Sequence, residues 1–184
     1  VAPVRTALGV RTVFNVLGPL ANPAGVTRQV VGVADPRLAG VVADALVLLG
    51  RERALVVRGD DGLDELTTTT TTRVREIRDG ATSDWVLDPA DLGLARARPE
   101  DLRGGDLARN RALADEVLAG REGPIADLVL LNAAAALLVG GVADDLADGL
   151  RRGREAVADG RALALRDAWV RRGPRRRPGA GPSR

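Results

Sequence analysis

The chain has 184 residues, of which 45% are hydrophobic and only 2% aromatic, and its formal net charge is +2. This length and composition fit one globular domain with an aliphatic core. The sequence contains no cysteine, histidine or lysine, which excludes disulfides, thiolate or imidazole metal sites and lysine Schiff-base chemistry.

The first 23 residues predict a helix end, an extended segment and two turns. Residues 1–8 are typical of the last turns of a helix, because Gly9 follows them as a stop signal. Residues 11–17 are predicted to be extended. The dipeptides Gly18-Pro19 and Asn22-Pro23 supply turn residues after them.

A β-strand, an α-helix and a second β-strand are predicted next. Residues 29–34 form a largely apolar run that predicts a buried strand. Asp35 then caps a helix that reaches about residue 49, with Pro36 at its first position. Residues 54–58 predict the second strand. Two strands joined by such a helix run parallel in one sheet.

The rest of the chain predicts two further strands and then only helices. Residues 67–78 predict an antiparallel strand, and the six threonines at 67–72 suit a solvent-facing sheet edge. Residues 82–87 predict another strand. The sequence thus predicts an α/β fold with a mixed, mostly parallel sheet flanked by helices. Four helices are predicted, at 106–119, 125–139, 143–159 and 160–170.

The chain closes with a basic segment. Residues 171–184 hold six arginines and no acid, and their Pro, Gly and Arg composition predicts a disordered tail after a domain that covers residues 1–170. Without this tail the chain is mildly acidic, so we expect no nucleic-acid binding. No long apolar stretch or signal segment is visible, so we expect a soluble cytoplasmic protein without membrane contact.

Clustered acids follow the second predicted strand. Residues 59–65 read G-D-D-G-L-D-E. Carboxylate oxygens are ligands of hard cations, which often serve phosphate chemistry. An acidic turn is more often solvated than metal-bound, so this motif alone does not decide between the two.

A longer motif near the N-terminus adds to the acidic turn. Residues 5–23 read R-T-A-L-G-V-R-T-V-F-N-V-L-G-P-L-A-N-P. This stretch resembles the signature of the anthranilate phosphoribosyltransferase family, in which an arginine-bearing helix runs into L-G-x-R-T-x-F-N-x-L-G-P-L-x-N-P. The acidic turn matches that family's G-x-D-G-x-D-E element, and the predicted helices after residue 104 match its C-terminal helices. The resemblance covers residues 1–170.

The resemblance implies a reaction and a set of site residues. The implied reaction transfers a phosphoribosyl group from phosphoribosyl pyrophosphate to the amine of anthranilate, in tryptophan biosynthesis. Asp64 and Glu65 are then the ligands of Mg²⁺, which neutralises charge on the leaving pyrophosphate. Arg5, Gly18 and Pro19 match residues of the anthranilate pocket.

Other polar residues of the matched motifs are predicted to be structural. Asp60 and Asp61 are expected to be solvated. Asn132 is expected to be a buried, hydrogen-bonded amide in an apolar helix. Gly104-Gly105 is expected to be a loop before the N-cap Asp106.

The chain also departs from the family's pattern. The family's G-T-G-G-D loop for phosphoribosyl pyrophosphate, its lysine and histidines and its N-terminal helical domain all lie upstream of the matched residues. Six threonines stand where the family has a serine and later a glycine. We therefore expect the C-terminal part of a homodimeric enzyme, inactive by itself and with an uncovered apolar surface. Two alternatives stay open: a pyrimidine nucleoside phosphorylase-like enzyme and a non-catalytic remnant of the fold.

Overall fold

A computed structural model describes residues 14–172 of the protein, with side chains from residue 17 onward. Arg5, the predicted helix end at residues 1–8 and nearly all of the predicted tail lie outside these residues. Within them no helix is long and apolar enough to cross a membrane. The described helices and strands are, in chain order, α1 (Phe14–Leu20), β1 (Arg28–Gly32), α2 (Pro36–Leu48), β2 (Arg53–Gly59), β3 (Thr72–Arg78), β4 (Ala81–Leu87), α3 (Leu107–Leu118), α4 (Pro124–Val139), α5 (Leu146–Ala158) and α6 (Arg161–Arg172).

The four described strands form one mixed sheet in the order β1-β2-β3-β4. β1 and β2 are parallel, which confirms the predicted strand–helix–strand unit. β2 pairs with β3, and β3 with β4, in the antiparallel sense. The two-residue turn Asp79-Gly80 accounts for the last pairing, because both residues have positive φ, as tight hairpins require. The α/β class and the mixed sheet are confirmed, but parallel pairing is the minority within the described strands.

Both faces of β2 are buried, and β2 contributes to two cores. Side chains alternate along a strand, so Ala54 and Val56 face one side while Leu55 and Val57 face the other. All four are at most 2% exposed. α2 packs on the first face, and α4 with α5 packs on the second. Burial on both faces explains why β2 is apolar without alternation.

Three local predictions are wrong where the described residues test them. Residues 14–17, predicted to be extended, begin α1, and Gly18-Pro19 lies inside that helix instead of in a turn. Leu20 at its end packs against the core beside α2, and this tertiary contact outweighs local preference. Residues 67–71 are not part of a strand, because β3 begins only at Thr72.

The other predicted elements are confirmed, with small shifts at their ends. Asp35 caps α2 by accepting a hydrogen bond from Arg37 N, as predicted. α5 begins three residues later than predicted, because Asp145 is its N-cap and accepts from Asp148 N. α6 continues to Arg172, two residues beyond the predicted domain end.

Candidate functional site

The acidic turn lies in a loop that joins β2 to β3, residues 60–71, called the acidic loop below. Gly59 N donates to Leu63 O at 2.8 Å, which closes its first turn. Gly62 has a φ of +92°, a conformation that favours glycine. Asp60 N donates to Thr71 O at 2.9 Å, so the two ends of the loop are paired. The loop is therefore closed at the carboxyl end of β2.

Asp61 holds the two halves of the acidic loop together. Its carboxylate accepts hydrogen bonds from Thr69 Oγ1 at 2.5 Å, Thr67 Oγ1 at 2.7 Å and Leu63 N at 3.0 Å. Burial raises the pKa of Asp61, but the bonds from Thr69, Leu63 and Thr67 together outweigh burial and hold the pKa below its ordinary value. Asp61 is thus a structural carboxylate.

Asp60 is also bound by its neighbours. It accepts hydrogen bonds from Thr71 Oγ1 at 2.6 Å and from Arg73 Nε at 2.8 Å. These two bonds lower the pKa of Asp60. Asp60 and Asp61 are exposed, as predicted for solvated acids, but side chains of Thr67, Thr69, Thr71 and Arg73 also bind them, which the sequence did not predict.

The threonine run supplies these hydroxyls and is not the solvent-facing sheet edge that the sequence predicted. Thr67, Thr68 and Thr72 are 0% exposed. Thr72 Oγ1 accepts from Thr67 N at 3.0 Å, and Thr67 Oγ1 accepts from Thr69 N at 3.1 Å. The run therefore folds onto itself and onto the aspartates. Four of its hydroxyls, those of Thr67, Thr69, Thr71 and Thr72, bind polar groups of the acidic loop.

Asp64 and Glu65 differ from the other two acids of the loop. Both residues are exposed, and neither carboxylate has a hydrogen bond or an ion pair with any residue of the described part. The described part of the chain contains no group of three or more His, Cys, Asp or Glu placed to hold a metal ion. Mg²⁺ in proteins is commonly bound by one or two carboxylates together with waters and substrate phosphates. Two adjacent carboxylates without partners fit such a cation.

Gly32, at the end of β1, lies against the backbone of Asp64. A Cβ atom built on Gly32 would lie 1.5 Å from Asp64 O and 2.5 Å from Asp64 C. Only a residue without a side chain therefore allows the end of β1 to contact the acidic loop. Gly32 was not among the residues predicted from the sequence to shape the site. A glycine inside an otherwise β-branched strand is the signal that indicates such close backbone approach.

The predicted hydrogen bonding of Asn132 and the predicted loop at Gly104-Gly105 are confirmed. Asn132 on α4 is only partly buried, and it makes three hydrogen bonds, two of them to the backbone of Leu66 in the acidic loop. Gly104-Gly105 forms a loop before α3, and Asp106 caps that helix by accepting from Arg109 N at 2.8 Å.

Two of the three predicted substrate-binding residues lie on another element. Gly18 and Pro19 are exposed on α1. Arg5, the third predicted residue of the anthranilate pocket, lies outside the described residues. No hydrogen bond or ion pair within the described part joins α1 to the acidic loop. Asp64 and Glu65 are thus exposed neighbours in the acidic loop, while Gly18 and Pro19 are exposed on α1.

The chain is similar in sequence to proteins of known activity. Residues 1–163 match the family described as glycosyl transferase family, a/b domain. An anthranilate phosphoribosyltransferase of Solibacter usitatus (strain Ellin6076) is 52% identical over 162 residues, which are 88% of this chain and 48% of that protein. These matches confirm the resemblance predicted from the N-terminal motif and the acidic turn.

Solved structures are similar as well. The crystal structure of anthranilate phosphoribosyltransferase from Thermus thermophilus has a TM-score of 0.84 and 44% identity, and the match covers 93% of this chain and 50% of that one. The Saccharomyces cerevisiae enzyme in complex with PRPP and Mg has a TM-score of 0.82 and 30% identity, over 92% of this chain and 49% of that one. The chain spans about half the length of the relatives it matches.

Proposed function

The chain belongs to the glycosyl transferase family, a/b domain, and from this membership we propose that it is the C-terminal part of an anthranilate phosphoribosyltransferase. In the proposed reaction the bond from the anomeric carbon to pyrophosphate breaks. A bond from that carbon to the amine nitrogen of anthranilate forms, and pyrophosphate and a proton are released. The names of the relatives, and the complex of the yeast enzyme with PRPP and Mg, support this assignment.

The observation that carries the proposal is the state of the carboxylates in the acidic loop. Asp60 and Asp61 are occupied by threonine and arginine donors, whereas Asp64 and Glu65 have no partner among the described residues. Asp64 and Glu65 are therefore the acids that can bind a divalent cation without breaking the loop. When bound, Mg²⁺ would neutralise charge that develops on pyrophosphate.

The acceptor side of the proposed site rests on Arg5, Gly18 and Pro19. Gly18 and Pro19 are exposed, so a ligand can reach them. A guanidinium such as that of Arg5 can pair with the carboxylate of anthranilate or stack on its ring. The homodimer implied by the resemblance and the cytoplasmic location expected from the sequence are likewise proposals for the full-length protein.

The test uses a full-length enzyme that carries this chain as its C-terminal part. We expect Asp64→Asn with Glu65→Gln to lower kcat by about 100-fold or more, because charge stabilisation by a metal is worth several kcal/mol. The free energy of unfolding should change by less than about 0.5 kcal/mol, since both residues are exposed. Consumption of anthranilate and urea unfolding measure the two effects.

A charge-matched control separates the loss of the proposed metal ligands from the loss of any two surface charges. Asp91→Asn with Glu122→Gln removes two exposed carboxylates that have no hydrogen-bond partner within the described chain. This control should leave kcat unchanged. Equal rates for the site variant and the control would remove Asp64 and Glu65 from the mechanism. Phosphorolysis of pyrimidine nucleosides in place of anthranilate consumption would favour the phosphorylase, and the absence of both activities would favour the non-catalytic remnant.

A further inference from the structure

Asn132 lies on α4 and reaches the backbone of the acidic loop. Its Oδ1 accepts a hydrogen bond from Leu66 N at 3.0 Å, and its Nδ2 donates to Leu66 O at 2.8 Å. Nδ2 also donates to Leu128 O at 3.0 Å, one helical turn earlier. One side-chain amide thus satisfies both backbone polar groups of a buried loop residue, as a neighbouring strand would.

The orientation of this amide is fixed by its partners. Leu66 O and Leu128 O are acceptors, so only the NH₂ group of Asn132 can face them. Leu66 N is a donor, and only Oδ1 can meet it. The helix that carries the amide is firmly packed, since Leu131 and Ala134 beside it are 0% exposed. The amide is therefore held in place before any ligand arrives.

The hydrogen bond from Leu66 N to Asn132 Oδ1 holds the peptide group that links Glu65 to Leu66. The peptide group is planar, so fixing Leu66 N also fixes the carbonyl of Glu65. The Leu66 side chain is 0% exposed, which anchors the same residue in the core. On the far side, Thr67 is bound to Asp61 at 2.7 Å. The backbone after Glu65 is thus fixed by three contacts: the bonds with Asn132, the buried side chain of Leu66 and the bond from Thr67. The Glu65 carboxylate itself has no partner in the part of the chain that the structure describes.

We propose that Asn132 is a positioning residue that clamps Leu66 and thereby holds the Asp64 and Glu65 carboxylates where both can bind one divalent cation. The inference rests on the proposed function, which assigns the cation to these two acids. Adjacent carboxylates repel each other, and a loose loop would let them separate. A clamp formed on folding removes that ordering cost from the binding step.

The test measures the affinity of the 184-residue chain for Mn²⁺, from the electron paramagnetic resonance signal of the free ion. We expect Asn132→Ala to weaken Mn²⁺ binding by about 10–100-fold, the range typical of lost outer-shell partners of metal sites. Asn132→Ser is the milder variant, because its hydroxyl can bond Leu128 O but not both groups of Leu66. We expect it to weaken Mn²⁺ binding in the same direction.

A stability control separates positioning from general packing. Leu138→Ala removes a 5%-exposed core side chain near the C-terminal end of α4 and retains the Asn132 amide. It should lower stability without changing Mn²⁺ affinity. Hydrogen exchange gives a second readout. Asn132→Ala should speed exchange of the Leu66 amide more than that of the β2 amides, whereas Leu138→Ala should speed them together.

The outcomes distinguish this inference from the proposed function. Unchanged Mn²⁺ affinity in both Asn132 variants, with affinity lost in Asp64→Asn with Glu65→Gln, would overturn the positioning role and leave the metal site standing. Mn²⁺ binding that survives Asp64→Asn with Glu65→Gln, or that the parent chain lacks, would remove the proposed metal site and the role of Asn132 with it.

Discussion

At the scale of single residues, threonine hydroxyls decide which acids of the acidic loop remain available. Thr67 and Thr69 bind Asp61, and Thr71 binds Asp60. These hydroxyls convert two of four carboxylates into structural groups. The sequence could not reveal this division, because a carboxylate bound by a hydroxyl up to eleven residues away reads the same as a solvated one.

Two neighbouring threonines provide a matched pair of substitutions. Thr68 Oγ1 is buried and has no hydrogen-bond partner within the described part of the chain. Thr68→Val keeps the shape and removes this unsatisfied hydroxyl, so we expect the free energy of unfolding to rise by about 1 kcal/mol. Thr67→Val removes a donor to Asp61 and an acceptor of Thr69 N, so it should lower that free energy by about 1–3 kcal/mol.

Urea unfolding of both variants measures the two changes. Opposite signs are the expected result. If both substitutions destabilise the protein equally, Thr68 has a partner and the account of the threonine run is incomplete.

At the scale of elements, the helices and strands that neighbouring residues specify could be predicted from the sequence. Asp35 and Pro36 specify the start of α2, and the apolar run of β2 specifies a strand buried on both faces. α1 was not predicted because Phe14 and Val16 favour a strand and Gly18-Pro19 favours a turn, whereas Leu20 packs against the core beside α2. The acidic loop was located correctly, but the clamp by Asn132 depends on α4, 66 residues further along the chain.

The contact between β1 and the acidic loop predicts the effect of a single methyl group. In Gly32→Ala the added Cβ would meet Asp64 O, so the loop must shift. We expect a loss of about 1–3 kcal/mol in the free energy of unfolding, typical of overpacking, together with weaker Mn²⁺ binding. Thermal unfolding and Mn²⁺ titration measure these effects.

Gly40→Ala is the matched control for Gly32→Ala. A Cβ on Gly40 would lie 3.1 Å from Arg75 Nη1, the flexible end of a side chain. Alanine is also favoured over glycine inside a helix, by up to about 1 kcal/mol. Gly40→Ala should therefore stabilise α2 and leave Mn²⁺ binding unchanged. A Gly32→Ala protein as stable and as competent in Mn²⁺ binding as the parent would show that the loop does not depend on this contact.

At the scale of the whole molecule, the chain spans about half the length of the relatives it matches. Its sequence holds the proposed metal pair and the proposed acceptor residues, whereas the G-T-G-G-D loop of the family is not among residues 1–184. Large apolar side chains such as Leu48, Leu107 and Trp169 are exposed. The uncovered apolar surface and the inactivity of the chain by itself stay predictions.

The proposed function depends most on one divalent cation that Asp64 and Glu65 bind together. Anomalous diffraction at the manganese edge, from crystals of the chain soaked in Mn²⁺, locates the ion directly. We predict a peak about 2 Å from carboxylate oxygens of both residues, as expected for a hard cation bound by oxygen. Manganese peaks only elsewhere, with both carboxylates in solvent, would contradict the account.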